Sequence, residues 1–202
     1  YMSKSLYIAE KPSVAQEFAN ALKINGRRSD GYIESEQAIV TWCVGHLVTM
    51  SYPECYDPKY KRWSLETLPF LPKEFKYEVI PSVEKQFKIV SGLLNRPDVD
   101  TIYVCTDSGR EGEYIYHLVA QMADVKDKAQ KRVWIDSQTE EEILRGIREA
   151  KDETEYDNLS ASAYLRAKED YLMGINFSRV LTLRYGPSMS QYLGTKYTVL
   201  SV

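Results

Sequence analysis

Residues 101–118, TIYVCTDSGREGEYIYHL, constrain the fold more than any other stretch of the chain. An apolar, β-rich run ends at Cys105, and Thr106-Asp107-Ser108-Gly109 breaks it. Arg110 then opens a helical pattern with Tyr114, Ile115 and Leu118 on one side. The order is strand, acidic loop, helix. In an open α/β sheet the carboxyl ends of the strands are where ligands gather, and Asp107 stands at such an end. Glu111 and Glu113 follow in the first helical turn. Acidic side chains there also suit the helix dipole. Three carboxylates around a glycine turn at a strand end, however, point to a chemical site.

A second unit of the same kind opens the chain. Residues 4–9 form a strand pattern, and Glu10-Lys11-Pro12-Ser13 forms its loop. Ser13 is the expected N-cap, with Gln16 three residues on, and Val14, Phe18, Ala21 and Leu22 give the next helix an apolar face. In a parallel sheet both loops open on one edge, so Glu10 is expected to meet Asp107 and Glu111. Residues 31–49 read as two strands, 76–80 as a short one, and 81–94 as a helix with Pro at its start. Strand 132–135 and helix 140–150 complete the alternation, with Glu140, Glu141 and Arg148 on a solvated face. The fold class is α/β, a parallel sheet with helices on both faces and right-handed crossovers, followed by a helical segment. The charged run 151–157 marks a boundary, giving domains at 1–151 and 152–202.

The 202 residues suffice for one α/β domain with an appendage, and the formal charge of -3 argues against a surface coated in basic residues. A nucleic-acid partner then requires a local basic surface. Such a surface begins near Ser160, where Arg166, Lys168, Arg179, Arg184 and Lys196 face only Glu169 and Asp170. Cys43, Cys55 and Cys105 form no CxxC pair, which fits free thiols in a reducing cytosol. No signal peptide or membrane span is visible. His46, in the exit turn Gly45-His46-Leu47, reads as a structural or exposed histidine.

The segment Thr106 to Glu113 resembles the acidic motif of TOPRIM domains in the form TDxDREGE used by type IA DNA topoisomerases. Thr106, Asp107, Arg110, Glu111, Gly112 and Glu113 match, and Gly109 stands in place of the second aspartate. The resemblance implies Mg²⁺ bound by Glu10, Asp107 and Glu111, with one carboxylate fewer than the family pattern and weaker binding as the consequence. AEKPSVA resembles the opening of topoisomerase III-type enzymes and implies catalytic roles for Glu10 and Lys11, with Arg110 beside them. The aromatic stretch VTWCVGHLVTMSYPECYDPKYKRWSLETLPFLPKEF resembles the same enzymes over a longer span.

RAxxDxLxGINxSRxLT, from Arg166 to Thr182, resembles the start of the helical domain that forms their single-strand groove. The resemblance implies that Arg166, Asp170, Asn176, Ser178 and Arg179 line or support a surface for single-stranded DNA, with salt-dependent binding. None of the 16 tyrosines has the context of the family nucleophile, so an N-terminal part of a cytoplasmic, nucleoid-associated enzyme is expected. A TOPRIM nuclease or primase shares the acidic loops but lacks the aromatic excursion, and a non-catalytic TOPRIM module is the third reading.

Overall fold

The computed structural model describes residues 2–202. They form two compact units, residues 2–49 with 78–163, and residues 50–77 with 164–202.

The first unit is built on a seven-stranded sheet of order β2-β3-β4-β1-β7-β8-β9. Its centre is β1 (Lys4–Ala9), hydrogen-bonded in parallel to β4 (Ala38–Trp42) on one side and β7 (Val99–Cys105) on the other. β8 (Ala129–Arg132) adds in parallel to β7. The expected all-parallel sheet is corrected at the edges. There β2 (Arg27–Ser29), β3 (Tyr32–Glu34) and β9 (Lys151–Asp152) pair antiparallel. Short charged edge strands of this kind discourage pairing with a further chain. β5 (Val48–Met50) and β6 (Tyr77–Val79) form a separate two-stranded sheet.

The central strands are apolar on both sides because helices cover both faces. Helix α1 (Pro12–Ala21) packs beside α4 (Glu140–Arg148), and Phe18 and Ile143, both 0% exposed, meet Tyr7, Ala9, Val40 and Trp42 there. Helices α2 (Glu84–Leu94) and α3 (Arg110–Ala123) pack together, burying Phe87, Val90, Leu94, Ile115, Leu118 and Val119. Each such side chain contributes roughly 1.5–3 kcal/mol by leaving water.

Three local expectations need correction. Ser13 is not the cap of α1: Pro12 holds the first helical position, Lys11 is the extended residue before it, and no side chain caps the end. Proline's fixed φ favours that position, which moves the start two residues earlier. Strand β8 lies at 129–132, earlier than 132–135, although Val133 N–H still donates to the Val104 carbonyl. The run 151–157 is more than a charged boundary, because it contains β9 and a 3-10 turn (Glu153–Tyr156) that buries Glu153.

In the second unit an aromatic cluster takes the place of a sheet. Phe70, 2% exposed, meets the rings of Tyr56, Tyr60 and Tyr171 edge-on. Helix α5 (Asp157–Leu193) starts in the first unit, and its residues from Tyr164 onward belong to the second. No helix among the described residues is long and apolar enough to cross a membrane.

Candidate active site

β1 and β7 run side by side in the same direction, with Ala9 opposite Cys105, so the loops after them leave the sheet at one edge. Glu10 and Asp107 are therefore neighbours across 97 positions of sequence: the Asp107 N–H donates to Glu10 Oε1 at 3.3 Å. Glu10 is buried, and its backbone carbonyl accepts from Gly45 N–H at 3.1 Å. Burial and the nearby Asp107 charge push the Glu10 carboxyl above its ordinary pKa. Asp107 and Glu111 are exposed, as are Lys11 and Arg110. A small cleft of about 210 Å³ beside them is lined by Thr106, Asp107, Ser108, Asp136 and Ser137.

His46 enters the same neighbourhood, its Nε2 lying 2.5 Å from Glu111 Oε1. Its ring stands edge-on to Tyr114 of α3. The signal was present in the sequence: Gly45-His46 follows β4, a parallel neighbour of β1, and so leaves the sheet at the edge that carries Glu10.

Gly112 is required sterically. A Cβ there would lie 1.8 Å from the Asp107 carbonyl oxygen, so the first turn of α3 presses directly on the acidic loop. Gly109 is required conformationally, because φ 155° and ψ -179° form a backbone region essentially confined to glycine. Nothing lies within 4 Å of a Cβ built at position 109, so the obstacle to a side chain there is backbone strain.

Glu113 does not join Asp107 and Glu111, which corrects the reading of three carboxylates in one site. It faces the interior, 0% exposed, with Arg132 Nε 3.0 Å from its Oε1. Its Oε2 accepts from Ser160 Oγ at 3.1 Å and lies 3.3 Å from His117 Nε2. His117 also meets Glu153 Oε1 at 3.0 Å. Burial alone would lower the His117 pKa, but the hydrogen bonds to Glu113 and Glu153 outweigh it and hold the value at about 9. Burial raises Glu153 to about 7, with Glu113 adding to the rise. Glu113, Glu153 and His117 could together hold a metal ion. With His117 protonated, two cations already balance two carboxylates there, which favours a sealed ion network.

Arg132 was not singled out by the sequence, yet it is fully buried and holds the acidic loop. Its Nη1 donates to Thr106 Oγ1 at 2.7 Å, and its Nη2 donates to the carbonyls of Thr106 and Asp107, each at 2.6 Å. An isolated basic residue at a strand end carries no periodic or motif signal.

Of the expected DNA-facing residues, Arg166 and Asp170 are exposed and lie 4.0 Å apart, a spacing that contributes little. Asn176 accepts from Phe70 N–H at 2.6 Å and donates to the Phe70 carbonyl at 2.9 Å. Arg179 is buried, donates to the Tyr60 carbonyl at 2.7 Å and covers the Trp63 ring. Ser178 Oγ accepts from Val202 N–H at 3.2 Å. Asn176 and Arg179 thus hold the aromatic unit together from within.

The chain is similar to DNA topoisomerase 3 of Staphylococcus epidermidis, 46% identical over 187 residues, covering 93% of this chain and 26% of the relative. It is equally similar to DNA topoisomerase 3 of Bacillus cereus, 46% identical over 189 residues, with 94% and 26% covered. It therefore spans about 26% of the length of the curated relatives it matches. The Toprim domain model matches residues 5–137, a span that begins in β1 and takes in both acidic loops. With more than half of its length in that match, the chain belongs to the Toprim domain family.

Proposed function

We propose that this chain forms the metal-binding and strand-gripping part of a type IA DNA topoisomerase, acting on single-stranded DNA in the bacterial cytoplasm at the nucleoid. The observation that carries the reading is the hydrogen bond from Asp107 N–H to Glu10 Oε1, which joins the two acidic loops. Similarity to DNA topoisomerase 3 relatives over nearly the whole chain supports it.

Toprim domains generally bind Mg²⁺, and the donor set suits that ion: Glu10, Asp107 and Glu111 offer carboxylate oxygens only, and hard divalent cations prefer oxygen. Bound Mg²⁺ would supply positive charge to steady a phosphodiester under attack. Glu10 is assigned to proton transfer, its carboxyl standing at the Asp107 amide where the two acidic loops meet. Lys11 and Arg110, exposed beside the carboxylates, would draw the DNA phosphate toward the acidic loop. Residues 152–202 would begin the helical groove domain. There Arg166, Asp170 and Ser178 would meet the strand, while Asn176 and Arg179 would support that surface.

The test is supercoil relaxation by the protein of the natural reading frame that carries this chain, with Glu10→Gln beside the parent. Mg²⁺-dependent relaxation that disappears in Glu10→Gln is expected. Relaxation indifferent to that change would contradict the role of Glu10.

A further inference from the structure

We propose that Arg132 is a positioning residue of the acidic site, fixing the Asp107 backbone so that its carboxylate is held beside Glu10. The argument begins with what holds Asp107. Its N–H is taken by Glu10 Oε1, and its carbonyl accepts from Arg132 Nη2 at 2.6 Å. The same nitrogen reaches the Thr106 carbonyl, while Nη1 reaches Thr106 Oγ1. Thr106 Oγ1 in turn donates to the Gly112 carbonyl at 2.8 Å, which ties the loop to the first turn of α3. Gly112, without a Cβ, leaves the Asp107 carbonyl room between that turn and the arginine. Asp107 is therefore gripped through its backbone at both ends, and its exposed side chain lies beside the Glu10 carboxyl.

Only a guanidinium can do this. The two adjacent carbonyls and the hydroxyl lie around a planar fork with several donors, whereas an ammonium is a point charge on a flexible stem. The charge itself is balanced from the other side by Glu113, whose Oε1 lies 3.0 Å from Nε. The Trp134 ring, 5.6 Å from the guanidinium carbon, covers the group further. The buried ions behind the loop hold the fork in place, and the fork holds the loop. Arg132 is fully buried and meets the acidic loop through its backbone, so its effect passes through Asp107.

The inference rests on Asp107 being a metal ligand, and the experiment separates the two claims. Arg132→Lys keeps the charge beside Glu113 and removes the fork. Two quantities are read on the parent, Arg132→Lys and Asp107→Asn proteins: Mn²⁺ affinity by electron paramagnetic resonance, and hydrogen exchange of the Asp107 amide against that of Val40 in the sheet. Loss of an outer-shell contact typically weakens metal binding by about 10–100-fold, and a weakening in this range is expected for Arg132→Lys. Exchange at Asp107 should accelerate by about tenfold or more while Val40 is unchanged, since the opening is local.

Parent-like exchange at Asp107 in a folded Arg132→Lys protein would overturn the proposal. So would acceleration shared equally by Val40, because Arg132 would then act on stability alone. If the parent binds Mn²⁺ no better than Asp107→Asn does, the metal reading fails, and the Asp107 amide alone decides the positioning role by the same criteria. Should Arg132→Lys not fold, the Arg132→Gln/Glu113→Gln pair, which removes both charges together, takes the same measurements with the same outcomes.

Discussion

Glu111 and Glu113 stand two residues apart on one helical turn, yet their side chains are 71% and 0% exposed. At 100° per residue they point to nearly opposite sides of α3. Glu111 faces solvent at the open edge of the sheet, where its Oε1 meets His46 Nε2. Glu113 turns inward to Arg132, His117 and Ser160, where its charge is consumed. The same residue type thus faces solvent on one side of the helix and supports the loop on the other. Clustering in sequence does not separate the two roles; burial and partners do.

The largest effect should come from breaking the buried side. Glu113→Ala leaves Arg132 charged and unpaired in the interior, and the loss of one partner from such a pair costs about 3–5 kcal/mol. Urea unfolding should show a loss of that size, whereas Asp107→Asn, at an exposed position, should change stability by less than about 0.5 kcal/mol. Equal losses from the two variants would erase the contrast between the faces.

A pH series sharpens the same comparison. The folded pKa of His117 lies at about 9, above its ordinary 6.5. Its proton therefore stabilises the fold fully below 6.5, and that contribution is lost as the pH rises through 9. At 1.36 kcal/mol per unit, the loss amounts to up to about 3 kcal/mol. Glu153, raised from 4.5 to about 7, also binds more protons when folded and acts in the same direction at lower pH. Stability measured from pH 6.5 to 9 should fall in the parent and fall by clearly less in His117→Gln, where the Glu153 contribution remains.

How much of this was legible beforehand follows from which signals are local. Strands β1 and β7 end in loops whose residues announce themselves, and parallel pairing then requires Glu10 and Asp107 to meet, as they do at 3.3 Å. The helices α1 to α4 follow from apolar periodicity. Arg132, His117 and Glu153 were not legible, because each acquires its role only from partners brought together by the fold, 36 positions apart in the case of His117 and Glu153. The edge strands β2 and β9 were missed for a related reason: two- or three-residue strands of mostly charged residues carry no period. Gly109 was legible as a missing carboxylate, but the reason for glycine there is a backbone angle that no residue type prints in advance.

Position 109 gives a smaller test on the solvent-facing side. Aspartate tolerates left-handed helical backbone, but φ 155° with ψ -179° lies outside that region. Gly109→Asp should therefore lower metal-free stability by about 1–3 kcal/mol. If the added carboxylate faces the site, Mg²⁺ should recover part of that loss in thermal melts. A melt unaffected by the substitution would show that the loop relaxes freely. The smallest effect is expected at Arg166. Its removal should weaken single-stranded DNA binding and lower the salt slope by about 1, read by fluorescence anisotropy over a salt series.

The central claim, that the open edge binds the cation while the buried cluster behind it is structural, is tested most directly by Mg²⁺-dependent thermal stabilisation in three proteins. A ligand that binds only the folded state stabilises it by mass action, at about 2–4 °C for each kcal/mol in a chain of this size. The parent should melt higher as Mg²⁺ is added, Asp107→Asn should show no such rise, and Glu153→Gln should rise as the parent does from whatever baseline it has. A rise that survives in Asp107→Asn, or one that disappears in Glu153→Gln, would put the cation in the buried cluster and contradict the account.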